Sequence, residues 1–412
     1  MNVEELVRDS LRELAAEQPA AGPGFAGRVF AGRRRRRTRR IAAVAAATAA
    51  VVGIAVAVPL LDSGKADVRP ANVLDQDGVH AHPDQTPPRD VIGAGGAVLA
   101  AYYTARTRPL AEDRAVSERT YWLLDAETGR YEKDTRWSFV AVAPGIRTAA
   151  VLERTLPARR IGLLDLATGE VERWIPVGQR VGGLVFSNDG RRLVATTYED
   201  SPDTQIKEKV INADGKEEWM WMAAWRGSSR TGFYDLDVAS GRGSWSAVAP
   251  DRNGNARQDF AYSRAGDLVY ERVVGGADGL QKFYDLHGRE VAAPANEKHL
   301  RSDVTARLSP SGRLAALGLT KEVNGSPGRS YSSIRDPRTG KEITKVRGAH
   351  LLAWADEKRL IAWERVTSLD EEYRPRLVLV TIGSDKVVPL SGVREESLNA
   401  ERQEWEPVFA RR

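Results

Sequence analysis

Side chains able to do chemistry occur all along this 412-residue chain, but few are spaced for it. The nearest to a ligand set is Asp251, Asn253, Asn255 and Asp259, which puts oxygens at positions 1, 3, 5 and 9 of an EF-hand-type loop. Ala256 and Tyr262 stand where that loop needs Gly at position 6 and Glu at position 12, so a surface loop accounts for the run better. Asp125, Asp165, Asp237 and Asp336 each stand three residues before a Thr-Gly or Ser-Gly pair, the place of a turn aspartate rather than of a catalytic acid. His80 and His82 share a polar stretch with no third ligand nearby, and the other three His are scattered. No G-x-S-x-G, S-x-x-K, H-E-x-x-H or phosphate-loop motif occurs. The absence of cysteine excludes thiolate catalysis, disulfides and Cys-ligated zinc or iron-sulfur sites. The expectation is no catalytic residue, no cofactor and no metal.

One segment is chemically distinct. Glu217 to Arg226 gathers Trp219, Trp221 and Trp225 with both non-initiator Met and ends on Arg226. Trp, Met and Arg are enriched at interface centres. Either these side chains pack the segment onto its own sheet, or they form an exposed site for an extracytoplasmic protein or glycan.

The elements that must carry this segment are repeats. An apolar strand, a Ser or Ala, a turn and a second apolar strand recur, as in LVFSNDG before RRLVATTY, FAYSRAG before DLVYERV and ARLSPSG before RLAALGL. Weaker copies are FVAVAPGIRTAAVLE and LLAWADEKRLIAWERV. A second hairpin alternates with it: YWLLDAETGRYEK, IGLLDLATGEVERW, FYDLDVASGRGSW, FYDLHGREVAA and SIRDPRTGKEITKV. One hairpin of each kind makes a four-stranded sheet, and turn positions at Gly145, Gly190, Gly266, Gly312 and Lys358 step by 45, 76, 46 and 46. A period of about 45 residues is that of a β-propeller blade, and the long step is one blade plus an insertion at about 203–232. The fold class expected for 91–412 is all-β, a propeller of six blades, with seven the alternative if 206–232 forms a degenerate blade. A closed ring leaves no bare edge, and the strand around Trp405 to Ala410 is a candidate to pair with the first blade.

The charge pattern divides the chain. Residues 1–40 hold ten Arg and five acids, a net of +5 equal to that of the whole protein, so the rest is balanced. A balanced body argues against nucleic acid as a partner. Residues 41–61 are 21 uncharged, mostly Ala and Val residues, about 31 Å as a helix, which suits one transmembrane crossing. Arg33, Arg34, Arg35, Arg36, Arg37, Arg39 and Arg40 stand directly before it (segment 33–40) and by the positive-inside rule keep the N-terminus cytoplasmic. The alternative is a signal peptide cleaved after Ala57, but the apolar run and the preceding segment are both long for one. In segment 1–32, Val3, Leu6, Val7, Leu11 and Leu14 form the stripe of an amphipathic helix that cannot be buried alone and needs a protein groove, the lipid bilayer or another copy. Residues 62–90 are polar and Pro-rich, and read as a linker.

The Phe-Ser-x-Asp-Gly and Tyr-Asp-Leu-x-x-x-Ser-Gly alternation resembles WD40-like and TolB-like propellers, with Tyr-Asp or Leu-Asp in place of Trp-Asp and no Gly-His pair. The full layout, and an Arg excess over Lys of 49 to 12, is similar to membrane-anchored propeller proteins of actinobacteria. The stub before the span is similar in layout to some membrane-bound anti-sigma factors, without their zinc-binding His and Cys; the resemblance implies a regulator such as a sigma factor as a cytoplasmic partner. The function expected is non-enzymatic recognition at the plasma membrane, single-pass, with the propeller outside. A cell-envelope scaffold, and a propeller hydrolase or lyase with channel carboxylates, are the alternatives.

Overall fold

The computed structural model describes residues 78–211, 216–224, 227–250, 256–272, 280–394 and 404–412. Val3, Leu6, Val7, Leu11, Leu14, the Arg run, the 41–61 segment, Trp225 and Arg226 lie outside the described residues. The chain divides into two units. Thr168–Glu170 are the described part of the first; the second, Val68–Ala167 with Val171–Arg412, holds every other described residue and forms the body of the protein. Among the described residues there is no helix, and thus none long and apolar enough to cross a membrane.

The chain enters through two short strands, β1 (Val79–His80) and β2 (Gly93–Ala94), then β3 (Ala97–Pro109), β4 (Arg114–Asp125) and β5 (Arg130–Asp134) form an antiparallel meander. The described end of the 62–90 segment is tied to this body: His82 donates its amide to Leu390 at 2.9 Å, and Gln85 bonds Asp90 at 2.7 Å. A second meander runs β6 (Trp137–Val142), β7 (Thr148–Glu153), β8 (Ala158–Asp165) and the first half of β9 (Glu170–Phe186). The second half of β9 begins the next, with β10 (Arg192–Tyr198), so these two meanders form one seven-stranded sheet. The chain then leaves as a two-stranded arm, β11 (Thr204–Ile211) and β12 (Glu217–Ala223), before returning as β13 (Arg230–Asp237) and β14 (Gly243–Ala247). Next come β15 (Ala261–Tyr262), β16 (Leu268–Arg272), β17 (Gln281–Asp285) and β18 (Glu290–Val291). The chain continues with β19 (Ala315–Val323), β20 (Arg329–Arg335) and β21 (Glu342–Arg347), preceded by a single bridge from Leu308 to Ala315. It then runs through β22 (His350–Trp354), β23 (Arg359–Arg365), β24 (Pro375–Thr381) and β25 (Val387–Val393). Finally β26 (Trp405–Arg411) pairs antiparallel with β3, Trp405 opposite Thr104 and Arg411 opposite Ala97.

The turns explain why these hairpins form. Ser187 Oγ accepts the Arg192 amide at 3.0 Å and donates to Asp189 at 2.6 Å, closing the β9–β10 turn with its own side chain. Ser263 plays the same part before β16. In the alternate hairpins the aspartates bond the backbone of their own turns: Asp125 to Glu127 at 2.9 Å, Asp237 to Ser240 at 2.7 Å, Asp336 to Thr339 at 2.8 Å. These carboxylates are occupied by turn geometry, as their spacing before Thr-Gly or Ser-Gly led one to expect.

Burial follows position within each meander. The middle strands are apolar on both faces, as in β23, where five consecutive residues are buried, because a neighbouring sheet covers each side. Two of the last strands, β5 and β21, are exposed at half or more of their residues, whereas β25 buries Leu390 and Ser391. Apolar clusters join successive meanders: Leu124 and Val151 across β4 and β7, Ile161 and Leu193 across β8 and β10, Phe233 and Phe260 across β13 and the approach to β15. Ile334 and Leu360 link β20 to β23, and Leu99 and Leu377 link β3 to β24. A small apolar cluster, Leu300, Leu308, Ala315 and Leu317, lies on the β18–β19 connection and β19, and polar contacts from Arg264 to the Ser309 and Pro310 carbonyls join the β15–β18 meander to it.

Candidate functional site

A cavity of about 550 Å³ is walled by the first strands of successive meanders and by β26. Its apolar wall includes Phe139, Val142, Leu184, Phe186, Trp354 and Phe409. Five guanidinium groups also line it, from Arg119, Arg257, Arg264, Arg307 and Arg411; among the lining residues the one carboxylate is Glu297.

Two of these arginines belong to a neutral buried network. Asp203, at the base of the arm and 5% exposed in its side chain, receives Arg119 at 2.6 and 2.9 Å and Arg257 at 2.8 and 3.0 Å. Arg257 also donates to Asp259 at 2.6 Å and to the Gly182 carbonyl at 2.9 Å, and Tyr198 donates to Asp259 at 2.8 Å. Burial works to raise the Asp203 pKa, but the Arg257 and Arg119 charges outweigh it and hold the carboxyl below its ordinary value. The same carboxylates push Arg257 upward against its own burial. Phe139 offers its ring to both cations, 5.8 Å from Arg119 and 5.1 Å from Arg257. Room for the network depends on β9: a Cβ at Gly183 would stand 2.1 Å from Asp259 Oδ1. Asp259, the last oxygen of the calcium-like run, is thus engaged by protein donors; Asp251, Asn253 and Asn255 lie outside the described residues.

The other three arginines are Arg264, Arg307 and Arg411. Glu297, 2% exposed, accepts Arg307 Nη2 at 2.6 Å and the Arg264 amide at 2.8 Å. The Arg307 guanidinium carbon stands over Tyr270, 4.1 Å from its centroid. It adopts φ of 51°, a left-handed conformation that costs a non-glycine residue about 1–2 kcal/mol. Its Nη1 is sealed from solvent without a hydrogen-bond partner. Arg264 places its guanidinium on backbone carbonyls only, Ser309 at 3.0 Å and Pro310. Arg411, exposed on β26, makes no ion pair among the described residues. Its pKa is lowered first by burial and then by the like charge of Arg264, with Glu357 opposing, so the two cations feel each other. Glu357 itself is bound to the Ser311 hydroxyl at 2.8 Å and to the Ser311 amide.

The arm is the second site. β11 continues from the β4 edge, with Thr204 opposite Val116 and Ile206 opposite Arg114, and β12 pairs along its whole length with β11. Alternation puts Lys207, Lys209, Trp219 and Trp221 on one face and Ile206, Glu208, Met220 and Met222 on the other. Trp219 is 60% exposed, with Lys209 at 5.6 Å from its ring; Lys207 stands 5.8 Å from Trp221. Met222 and Ile211 are exposed as well. Trp219 is therefore not spent on packing the arm onto the sheet that carries it.

Among the described residues no cluster of three or more His, Asp or Glu is placed to hold a metal. The cavity arginines and Glu297 carried no sequence signal, because they come from strands and connections scattered from β4 to β26. The Gly182-Gly183 pair inside an apolar strand was a readable sign of close approach.

No protein-family model matches the chain, and no curated protein matches it. Among solved structures it is similar to TolB from Acinetobacter baumannii, at 15% identity over 70% of this chain and 65% of that one, TM-score 0.33. The chain thus spans a little under two thirds of that TolB. It is also similar to Kuenenia stuttgartiensis hydrazine synthase (14% identity, 63% and 70% coverage, TM-score 0.33). A third likeness is to the β-propeller domain of Swd1 from Myceliophteria thermophila (16% identity, 77% and 99% coverage, TM-score 0.32).

Proposed function

We propose that this protein is a non-enzymatic recognition protein of the plasma membrane, anchored once through residues 41–61, with its N-terminus cytoplasmic and an extracytoplasmic β-propeller that binds a partner through the β11–β12 arm. The reading of the body as a six-bladed ring rests on strand pairing. Each meander supplies one blade, β26 joins β3–β5 as the strand that closes the ring, and residues 204–223 form two strands added to the β4 edge rather than a seventh blade.

The observation that carries the recognition role is the arm. Trp219 exposes 60% of its surface on a two-stranded projection whose outer edge, β12, has no further strand beside it among the described residues. Large exposed aromatics beside Met are disfavoured on a bare surface and suit a protein or glycan contact. A hydrolase or lyase reading would need two facing acids. Among the described lining residues Glu297 stands alone, already bound to Arg307 and Arg264.

On the cytoplasmic side, the stripe Val3, Leu6, Val7, Leu11 and Leu14 is proposed to dock a regulator such as a sigma factor, with the Arg run against anionic headgroups. The test is quantitative co-purification from native membranes of the full chain, its Trp219→Ala variant and a variant lacking residues 2–30. The expected result is an envelope partner lost with Trp219→Ala and a cytoplasmic partner lost with the deletion, at unchanged thermal stability of the body. An identical captured set in all three samples would refute both contacts.

A further inference from the structure

The arm accounts for neither the cavity nor its charges. Of the five lining arginines, Arg119 and Arg257 are balanced by Asp203 and Asp259, and Arg307 by Glu297. That leaves Arg264, held by carbonyl oxygens, and Arg411 as two cations on one cavity with no ion pair among the described residues. Glu357, whose charge acts on Arg411 from a distance, takes its hydrogen bonds from the neutral Ser311 hydroxyl and amide and pairs with neither cation.

Arg307 adds a second, independent sign. Its backbone is held in a left-handed conformation and its Nη1 is buried without a partner, two unfavourable features in one residue. A buried unsatisfied donor costs roughly 1–3 kcal/mol, and strain of this kind persists where the surroundings impose it, commonly at binding sites. Tyr270 beneath and Glu297 beside it fix the guanidinium in place. Arg264 also crosses from the β15–β16 turn to the Ser309 and Pro310 carbonyls, so polar contacts join these two meanders at the cavity.

Part of the wall is apolar, with Phe139, Leu184, Phe186 and Phe409, and Ser187, Asn188 and Thr305 add polar groups. Its volume of about 550 Å³ falls in the range of small-molecule sites, roughly 300–1,000 Å³. We propose that the cavity binds a small molecule carrying one oxyanion, a carboxylate or a phosphate, on an apolar body, the anion meeting Arg264 and Arg411. Guanidinium forks match both oxyanions, and the aromatic wall receives the body. No covalent step is involved.

Isothermal titration of the full-length protein with 2-naphthoate, 2-naphthyl phosphate and neutral 2-naphthylmethanol tests this. At least one anion is expected to bind about tenfold or more tightly than the alcohol, since a charge-assisted contact contributes on the order of 1.5–3 kcal/mol. Whichever anion binds tighter names the oxyanion. Arg411→Gln should weaken the anion by about tenfold and leave the alcohol unchanged. Arg264→Gln should do likewise; if it fails to fold because Ser309 and Pro310 lose their donor, Arg411→Gln decides alone, its side chain being exposed and outside the ion pairs of the described residues. Equal binding of alcohol and anions, no anion binding at about 1 mM, or unchanged affinity in Arg411→Gln would overturn the proposal. None of these readouts involves the arm, so they stand or fall apart from the Trp219 test.

Discussion

Trp405 offers the sharpest test of how the body is held together. It opens β26, is 2% exposed, and meets Tyr102 at 5.7 Å and Trp363 at 5.2 Å, both edge-on, while its Nε1 donates to Thr86 at 3.1 Å. One side chain thus ties the last strand to β3, to β23 and to the segment entering the body. Truncating a buried Trp to Ala costs about 3–5 kcal/mol, which already contains two aromatic contacts worth about 0.5–1.5 kcal/mol each. Trp405→Phe keeps most of the apolar contact and loses the indole hydrogen bond, for about 1–2 kcal/mol. In a body of this size each kcal/mol moves the melting midpoint by roughly 2 °C, so Trp405→Ala should lower it by about 6–10 °C and Trp405→Phe by about 2–4 °C. Circular dichroism melts of the purified full chain, with urea titration as a second axis, give both values. If Trp405→Ala lowers stability by less than about 1 kcal/mol, or no more than Trp405→Phe does, the reasoning that β26 locks the fold is wrong.

Other consequences follow from the buried charges. Asp203 has a depressed folded-state pKa, so its stabilisation is present above the unfolded value of about 3.9 and fades as pH falls through the lower folded value. Asp203→Asn should therefore destabilise at pH 7 and differ progressively less from wild type below about pH 4; a gap that stays constant down to about pH 2 would refute the assignment. Arg230 and Glu271 form an ion pair whose side chains are 0% and 3% exposed, with Arg230 stacked 4.3 Å from Phe260. Arg230→Met alone should cost about 3–5 kcal/mol by leaving Glu271 buried and unpaired, and adding Glu271→Leu should recover most of it, read by urea denaturation of the two singles and the double. Gly183→Ala drives a methyl into Asp259 and should destabilise by about 1–3 kcal/mol, a penalty reduced in an Asp259→Ala background. Trp219→Ala should change stability by less than about 0.5 kcal/mol.

The meanders were legible because local rules produce them. LVFSNDGRRLVATTY needs only its apolar runs, its serine and its turn glycine to form a hairpin, and the structure shows Ser187 and Gly190 in those roles. The terminal strand was readable for a related reason: a run from Trp405 to Ala410 had to find an edge, and β3 supplies it. The arm was legible as an extra stretch but not as a hairpin on β4, since Arg114–Val116 lies some 90 residues earlier and nothing in either segment names the other.

By itself the sequence determined the repeat, the turn chemistry, the division of charge between residues 1–40 and the rest, and the lack of any thiol or recognisable nucleophile motif. All of these depend on neighbours along the chain. The cavity and its charge balance were decided only by tertiary structure. Arg119, Asp203, Arg257 and Arg411 stand on separate strands and loops, and Glu297 and Arg307 on one connection, each ordinary in its own segment. Whether such an arginine is a solvated surface charge, a neutralised strut or a ligand-ready donor depends on which carboxylate the fold brings within about 3 Å of it, and that distance has no counterpart in sequence order.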